Sequence, residues 1–208
     1  MLDKSSDKQT KVIALAGGTG SGKTTIARDI AVQCELFFGL KACVVSMDNY
    51  YKNSNIDKFD NYDHPDAFNA LLLSEDLNLF LSQKSVPLRR YSYSSKESDT
   101  VAVMRDIDLV ILEGLYALHF PEIRQISCTN LYLDIDEETR IERRLKRDLC
   151  ERNISEEENI RMIDNFVKKM HTQYVSKQKK FANIHITPNN AHLPTSAELL
   201  KKILQIKG

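Results

Sequence analysis

The chain has no excess of either charge: 29 lysines and arginines balance 29 aspartates and glutamates over 208 residues. Without a net field there is no long-range pull toward DNA, RNA or an anionic membrane, so any anion it binds must be met locally. Cys34, Cys43, Cys128 and Cys150 form no CxxC pair and show no metal-ligand spacing, a pattern that points to a reducing compartment. The five histidines, His64, His119, His171, His185 and His192, are scattered without metal spacing and receive no catalytic role. Internal repeats and low-complexity segments are also missing. No apolar run reaches the length of a membrane span, and residues 1–11 are polar, without the apolar stretch of a secretory signal. These absences predict a cytoplasmic protein with a flexible tail over residues 1–11. The length suits a single α/β domain over residues 12–208.

What is present is concentrated in residues 12–25, VIALAGGTGSGKTT. Residues 12–16 read as a buried parallel strand that breaks into Gly17, Gly18, Gly20 and Gly22, letting the chain turn tightly with its N–H groups aimed at an anion. Gly17, Gly22, Lys23 and Thr24 match the pattern GxxxxGK followed by Ser or Thr, set between a strand and a helix as the mechanism requires. Lys23 supplies a point charge for terminal phosphates and Thr24 a hydroxyl for Mg²⁺. A helix over residues 24–35 turns its N-terminus toward the phosphates. With Thr19, Ser21 and Thr25 the stretch forms a nucleoside triphosphate site, which by itself names no reaction.

Four more apolar runs follow, at residues 41–46, 108–114, 130–136 and 183–187. Asp48 and Glu113 fall at the carboxyl ends of the first two, the edge where ligands collect in open parallel sheets. Glu113 is placed to orient Mg²⁺. Residues 50–66 form a long polar, aromatic loop of the functional kind. Residues 67–83 look helical, with Ser74 available to cap a second segment, and residues 86–104 read as a hairpin-like flap. Asp136 can cap the next helix, where Arg140, Arg144 and Arg147 share a face. They are either solvated, with Glu142, Asp148 and Glu151 as partners, or a lid that neutralises a triphosphate; the neighbouring phosphate loop favours the lid. Ser155 with Glu158 and Thr195 with Glu198 make capping boxes. They start one helix running to about residue 176 and a terminal one with Leu199, Leu200, Ile203 and Leu204 on its buried side. The predicted fold is α/β, a doubly wound parallel five-stranded sheet of the P-loop NTPase type. Helices cover both faces, with a β flap and an arginine-rich lid helix added.

A GTPase would carry DxxG after its third strand and NKxD for guanine, and here the strand ends in LEG and NKxD does not occur. Motors and transporters use a longer helical or multidomain frame. A small-molecule kinase fits better. GGTGSGKTT, SMDNYYK, YDHPDAF, LEGLYAL and TRIERRLKRDLCER occur in order, and this series resembles the uridine kinase group of the phosphoribulokinase/uridine kinase family over about residues 12–188.

The resemblance implies transfer of the ATP γ-phosphoryl to the 5′-hydroxyl of a ribonucleoside, with Mg²⁺ bound, as in pyrimidine salvage. By position, Asp48 matches the residue that accepts or orients the acceptor hydroxyl, with Tyr51 beside it, and Lys23 and Arg147 join it as catalytic groups. Asp63 matches the holder of ribose hydroxyls, Tyr62 the aromatic next to the base, Arg144 the arginine reaching the nucleoside, and Glu113 the Mg²⁺-linked acid. Arg147 and Arg152 match lid arginines near the phosphates. The partner implied is a small nucleoside-like molecule, with a homo-oligomer left open. The family flap usually reads YDFxxHxR, whereas this chain has Tyr91, Ser92, Tyr93, Ser94, Ser95 and Lys96. Ile154 and Met162 stand where an arginine and a glutamine are common. Phosphate and ribose handling are therefore expected intact and base recognition altered, with Tyr91 or Tyr93 the remaining candidates to read a pyrimidine. A kinase of another riboside or small alcohol, or a nucleotide-binding regulator without catalysis, are the alternatives.

Overall fold

Alternation along the first strand sets the architecture. In the computed structural model, which describes residues 10–53, 61–82, 84–92, 95, 97–152, 154–188 and 197–204, β1 (Lys11–Gly17) is buried from Val12 onward. Val12, Ala14 and Ala16 join one hydrophobic cluster, Ile13 and Leu15 another, as the period of two requires of a strand covered on both faces. β1 pairs in parallel with β5 (Leu109–Gly114) on one side and β6 (Thr129–Leu133) on the other. Outside them lie β2 (Ala42–Ser46) and β7 (Ile184–Ile186), giving the order β2-β5-β1-β6-β7. Chain order runs to opposite sides of β1, so the crevice at its carboxyl end is the switch point where such sheets bind ligands.

α1 (Lys23–Phe38) and α6 (Ala197–Leu204) cover the Ile13 face through Ala27, Ile30, Cys34, Leu200 and Leu204. The opposite face is covered by α2 (Ala70–Leu81), the hairpin β3 (Val86–Ser92) and β4 (Glu97–Met104), and α3 (Pro121–Ile126), through Leu73, Leu77, Phe80, Val86 and Ile123. The break anticipated at Ser74 does not occur. Asn69 caps a single α2 by accepting from the Leu72 N–H at 3.1 Å, and the uninterrupted face of Leu73, Leu77 and Phe80 carries the helix past Ser74. α4 (Glu137–Glu151) is capped by Asp136, which accepts from the Thr139 N–H at 2.8 Å. α5 (Glu156–Met162) is capped by Ser155. Its helical path continues through π-helical turns at Ile163–Val167 and His171–Val175 and a 3₁₀ turn to Phe181. It thus runs beyond the predicted end near residue 176.

The hairpin is fastened where it matters for the site. Asp76 of α2, 2% exposed, accepts from the Tyr50 hydroxyl at 3.0 Å and from Arg89 Nε and Nη2 of β3 at 2.6 and 3.2 Å. Asn49 accepts from the Tyr91 N–H at 3.2 Å, and its carbonyl accepts from the Ser98 hydroxyl at 2.6 Å. Both Asn49 and Tyr50 belong to the 3₁₀ turn Met47–Tyr50 that carries Asp48. Residues 1–9 of the anticipated tail, residues 54–60 of the loop, Tyr93, Ser94 and Lys96 of the flap, His192 and the Thr195 cap lie outside the described residues. Among the described residues no helix is long and apolar enough to cross a membrane.

Candidate active site

The turn after β1 is tightest at its glycines. A Cβ on Gly18 would lie 2.6 Å from Arg140 Nη1, and one on Gly20 would lie 2.1 Å from the Arg140 carbonyl oxygen; Gly20 also has φ +70°. Lys23, the first residue of α1, is 9% exposed and donates Nζ to the Gly18 carbonyl at 2.8 Å. Burial pushes its ammonium below the ordinary lysine range, opposed by the Glu113 and Asp48 carboxylates. Sheet register brings these acids to the loop: Glu113 pairs with Leu15 of β1 and Ser46 of β2, and Asp48 follows Ser46 by two residues. The Thr24 hydroxyl donates to Glu113 Oε1 at 3.1 Å. Burial raises the Glu113 carboxyl above its ordinary range, with Lys23 the main opposing charge.

A cavity of about 790 Å³ opens over this edge. Thr19, Gly20, Lys23 and Thr24 line it from the phosphate loop, Glu113 from the end of β5, Asp48, Tyr51, Tyr62 and Asp63 from the segments after β2, and Arg144, Arg147 and Arg152 from α4 and its end. The aromatic wall is held by packing: Tyr51 stacks on Phe68 at 4.4 Å and meets Tyr62 edge-on at 5.4 Å. The ends of the loop that carries these tyrosines are tied together, with Lys52 N donating to the Ala67 carbonyl at 2.8 Å and Asn69 N to Tyr50 at 2.7 Å. Tyr116, fully buried, donates its hydroxyl to the Asp63 carbonyl. Arg144 joins the two sides of the cavity: its Nη1 donates to Asp63 Oδ1 at 3.2 Å and to Thr19 Oγ1 at 3.4 Å.

Several anticipated residues do not reach the cavity. Gly17, Gly18, Ser21 and Gly22 shape the loop from behind, Thr25 is exposed on α1, and buried Tyr91 stands behind Tyr51 with ring centres 5.2 Å apart. Arg140 is a correction to the shared arginine face. It is 3% exposed, packed beneath the glycine loop with Nε donating to the Ile135 carbonyl at 3.0 Å, because the first turn of α4 abuts the loop. Asp148, read as a partner on a solvated helix, has no exposure at all. Ile154 and Met162 line the cavity as their positions implied, but so do Glu151, Glu158 and Phe166. Glu158, Met162 and Phe166 fall at i, i+4 and i+8, a period legible in the sequence; the burial of Asp148 has no such signal.

Residues 12–192 match the family described as Phosphoribulokinase / Uridine kinase family. The chain is 37% identical over 185 residues to the uridine kinase of Staphylococcus aureus strain JH9, covering 86% of this chain and 88% of that one. Among solved structures it superposes on a Silicibacter sp. TM1040 protein, named provisionally as a fructose transport system kinase, with TM-score 0.72, 18% identity and coverage of 88% and 92%. A possible uridine kinase from Bacillus stearothermophilus gives TM-score 0.63, 18% identity and coverage of 89% and 91%. At these identities the two structures speak for the fold, while the sequence matches speak for descent. A chain that shares the family's sequence pattern from its first strand past its last belongs to the phosphoribulokinase/uridine kinase family.

Proposed function

We propose that this protein is an ATP-dependent nucleoside kinase, moving the γ-phosphoryl group of ATP to the 5′-hydroxyl of a ribonucleoside. One observation carries the reading. A single cavity joins a phosphate loop, two carboxylates suited to hold an alcohol, and three arginines. Identity to uridine kinases supports the acceptor class.

The residues present fit MgATP. A tight turn with no room for a Cβ at Gly20, a buried lysine, and a hydroxyl within 3.1 Å of a carboxylate are anion-directed and hard-oxygen groups. Among the described residues no three His, Cys, Asp or Glu side chains gather to hold a metal, which suits Mg²⁺, an ion that takes one or two protein carboxylates and keeps water and phosphate oxygens. Thr24 and Glu113 would hold it, and when bound it would supply positive charge that offsets the negative charge of the phosphates.

The chain's own groups do the rest. Backbone amides of the cavity-lining part of the loop, at Gly20, Lys23 and Thr24, receive the phosphates, and Lys23 exchanges the Gly18 carbonyl for a phosphate oxygen. Asp48 orients the attacking hydroxyl and takes its proton. Asp63 and Arg144 hold the ribose, Tyr51 and Tyr62 flank the base with Tyr91 behind them, and Arg147 and Arg152 offset the charge on the transferring group. Phosphoryl transfer asks for orientation and distributed positive charge more than covalent chemistry. The test is a coupled assay of ADP release over a panel of ribonucleosides and small alcohols. Acceptor-dependent turnover is expected; ATP binding with no turnover on any acceptor would leave a nucleotide-binding regulator instead.

A further inference from the structure

We propose, resting on the kinase reading above, that Asp148 is a positioning residue: a buried carboxylate that holds Arg144, Arg147 and Arg152 as one array over the transfer site. Arg147 donates Nε to Asp148 Oδ1 at 2.8 Å, with Nη2 2.7 Å from the same oxygen. Arg152 Nη1 lies 3.5 Å from that oxygen, and Arg144 Nε lies 3.2 Å from Oδ2, close enough for an ion pair though not aligned as a hydrogen bond. Residues 144, 148 and 152 follow each other at i, i+4 and i+8, so the carboxylate sits one turn from an arginine on either side.

The division of exposure is what assigns the role. The Asp148 side chain has no exposure, while those of Arg147 and Arg152 are 31% and 27% exposed and line the cavity. Asp148 is thus out of reach of a ligand, and the arginines are not. A guanidinium carries five N–H donors in a rigid fork. Arg147 engages Asp148 through one edge and keeps the others for the cavity. Without that hold, two long and partly exposed side chains would regain their rotamers, and three like charges in one pocket would drive them toward solvent. Arg144 extends the array, since its far nitrogen also meets Asp63 and Thr19.

The test compares Asp148→Asn, Arg147→Lys, Arg147→Gln and the double variant Asp148→Asn/Arg147→Lys. Asp148→Asn should bind MgATP within about threefold of wild type and lose about 10- to 100-fold in kcat, the scale of misplaced catalytic groups. Arg147→Lys keeps the charge but loses the two-nitrogen grip, so it should be nearly as poor as Arg147→Gln, and the double variant no worse than the poorer single one. Unchanged kcat in folded Asp148→Asn, or losses that multiply in the double variant, would overturn the assignment. If Asp148→Asn does not fold, the lysine variant decides: near-normal turnover in Arg147→Lys rules out anchoring. If no acceptor turns over in wild type, the kinase reading fails, and the anchor is read by nitrogen-15 NMR. The Arg147 Nε–H should exchange slowly in wild type and at least about tenfold faster in Asp148→Asn; fast exchange in wild type, or equal rates, would refute it.

Discussion

Asp48 and Lys23 face the same cavity, and under the proposed mechanism the first serves the acceptor and the second the donor, so substitution should separate them. Asp48→Asn is expected to leave ATP affinity nearly unchanged and to lower turnover by about a hundredfold or more, the scale of losing a positioned base. Lys23→Ala should damage ATP binding and turnover together, because its charge meets the donor. Calorimetric ATP binding beside steady-state kinetics measures both, and equal loss of ATP affinity in the two variants would contradict the division. His171 allows a prediction of another kind. Burial pushes its imidazole from the ordinary 6.5 down to about 4, with Arg140 and Lys179 adding to the effect and Asp134 opposing it. Between those values the unfolded chain takes a proton that the folded chain refuses, so stability present above pH 6.5 is lost as pH falls toward 4. His171→Gln should be less acid-sensitive over that window. Urea midpoints at pH 7, 5.5 and 4.5 would show it, and a constant gap between variant and wild type would refute a half-buried, neutral His171.

Among the elements, the flap depends on a contact far apart in sequence. Its two strands were legible from alternating apolar residues around a polar turn, but Asp76, which binds Arg89 and Tyr50 together, reads in sequence as one more polar residue of a helix. Asp76→Ala strands a half-buried guanidinium and a buried hydroxyl, and should cost about 2–4 kcal/mol in urea unfolding. Because Tyr50 belongs to the turn that carries Asp48, KM for the acceptor should rise while ATP affinity holds. An unchanged acceptor KM in the folded variant would detach the flap from the acceptor site. Helix starts at Asp136 and Ser155 were legible because capping is local chemistry. The π-helical turns after Met162 were not, since a change of helical pitch answers to packing from outside the helix.

On the scale of the whole molecule the open question is the acceptor, whose pocket draws on at least four separate segments. Asp63 and Arg144, bonded to each other across the cavity, are the proposed ribose clamp, whereas Ile154, Met162 and Phe166 make one part of the wall apolar. A site that hydrogen-bonds a particular base rejects others because mismatches strand buried polar groups, and apolar residues remove that penalty. Uridine and cytidine should bind weakly, and a ribonucleoside should outrun its deoxy analogue by more than uridine outruns other bases. Glu151 and Glu158, also on the wall, accept but do not donate as carboxylates, so cytidine with its amino group should exceed uridine. Ratios of kcat/KM for uridine, cytidine, adenosine, nicotinamide riboside and deoxyuridine test this. Strong and exclusive use of uridine and cytidine would show that the base is read elsewhere, with Tyr91 the first residue to examine.

The phosphate loop, the strand that leads into it and the two acids at the sheet edge could be read from residues 12–25, 41–48 and 108–114 alone, whereas the order of the strands across the sheet came from the tertiary structure. The physics of the legible part is local: glycine where a Cβ cannot fit, apolar runs of strand length, and carboxylates where a strand ends. Tertiary structure alone also decided which polar groups lose water. Arg140, Arg144 and Arg147 have the same spacing logic in sequence, yet packing against the loop removes the first from the site, while a buried Asp148 gathers the other two with Arg152. Burial is set by segments remote along the chain, and it is burial that turns an ordinary helical aspartate into the common partner of three arginines.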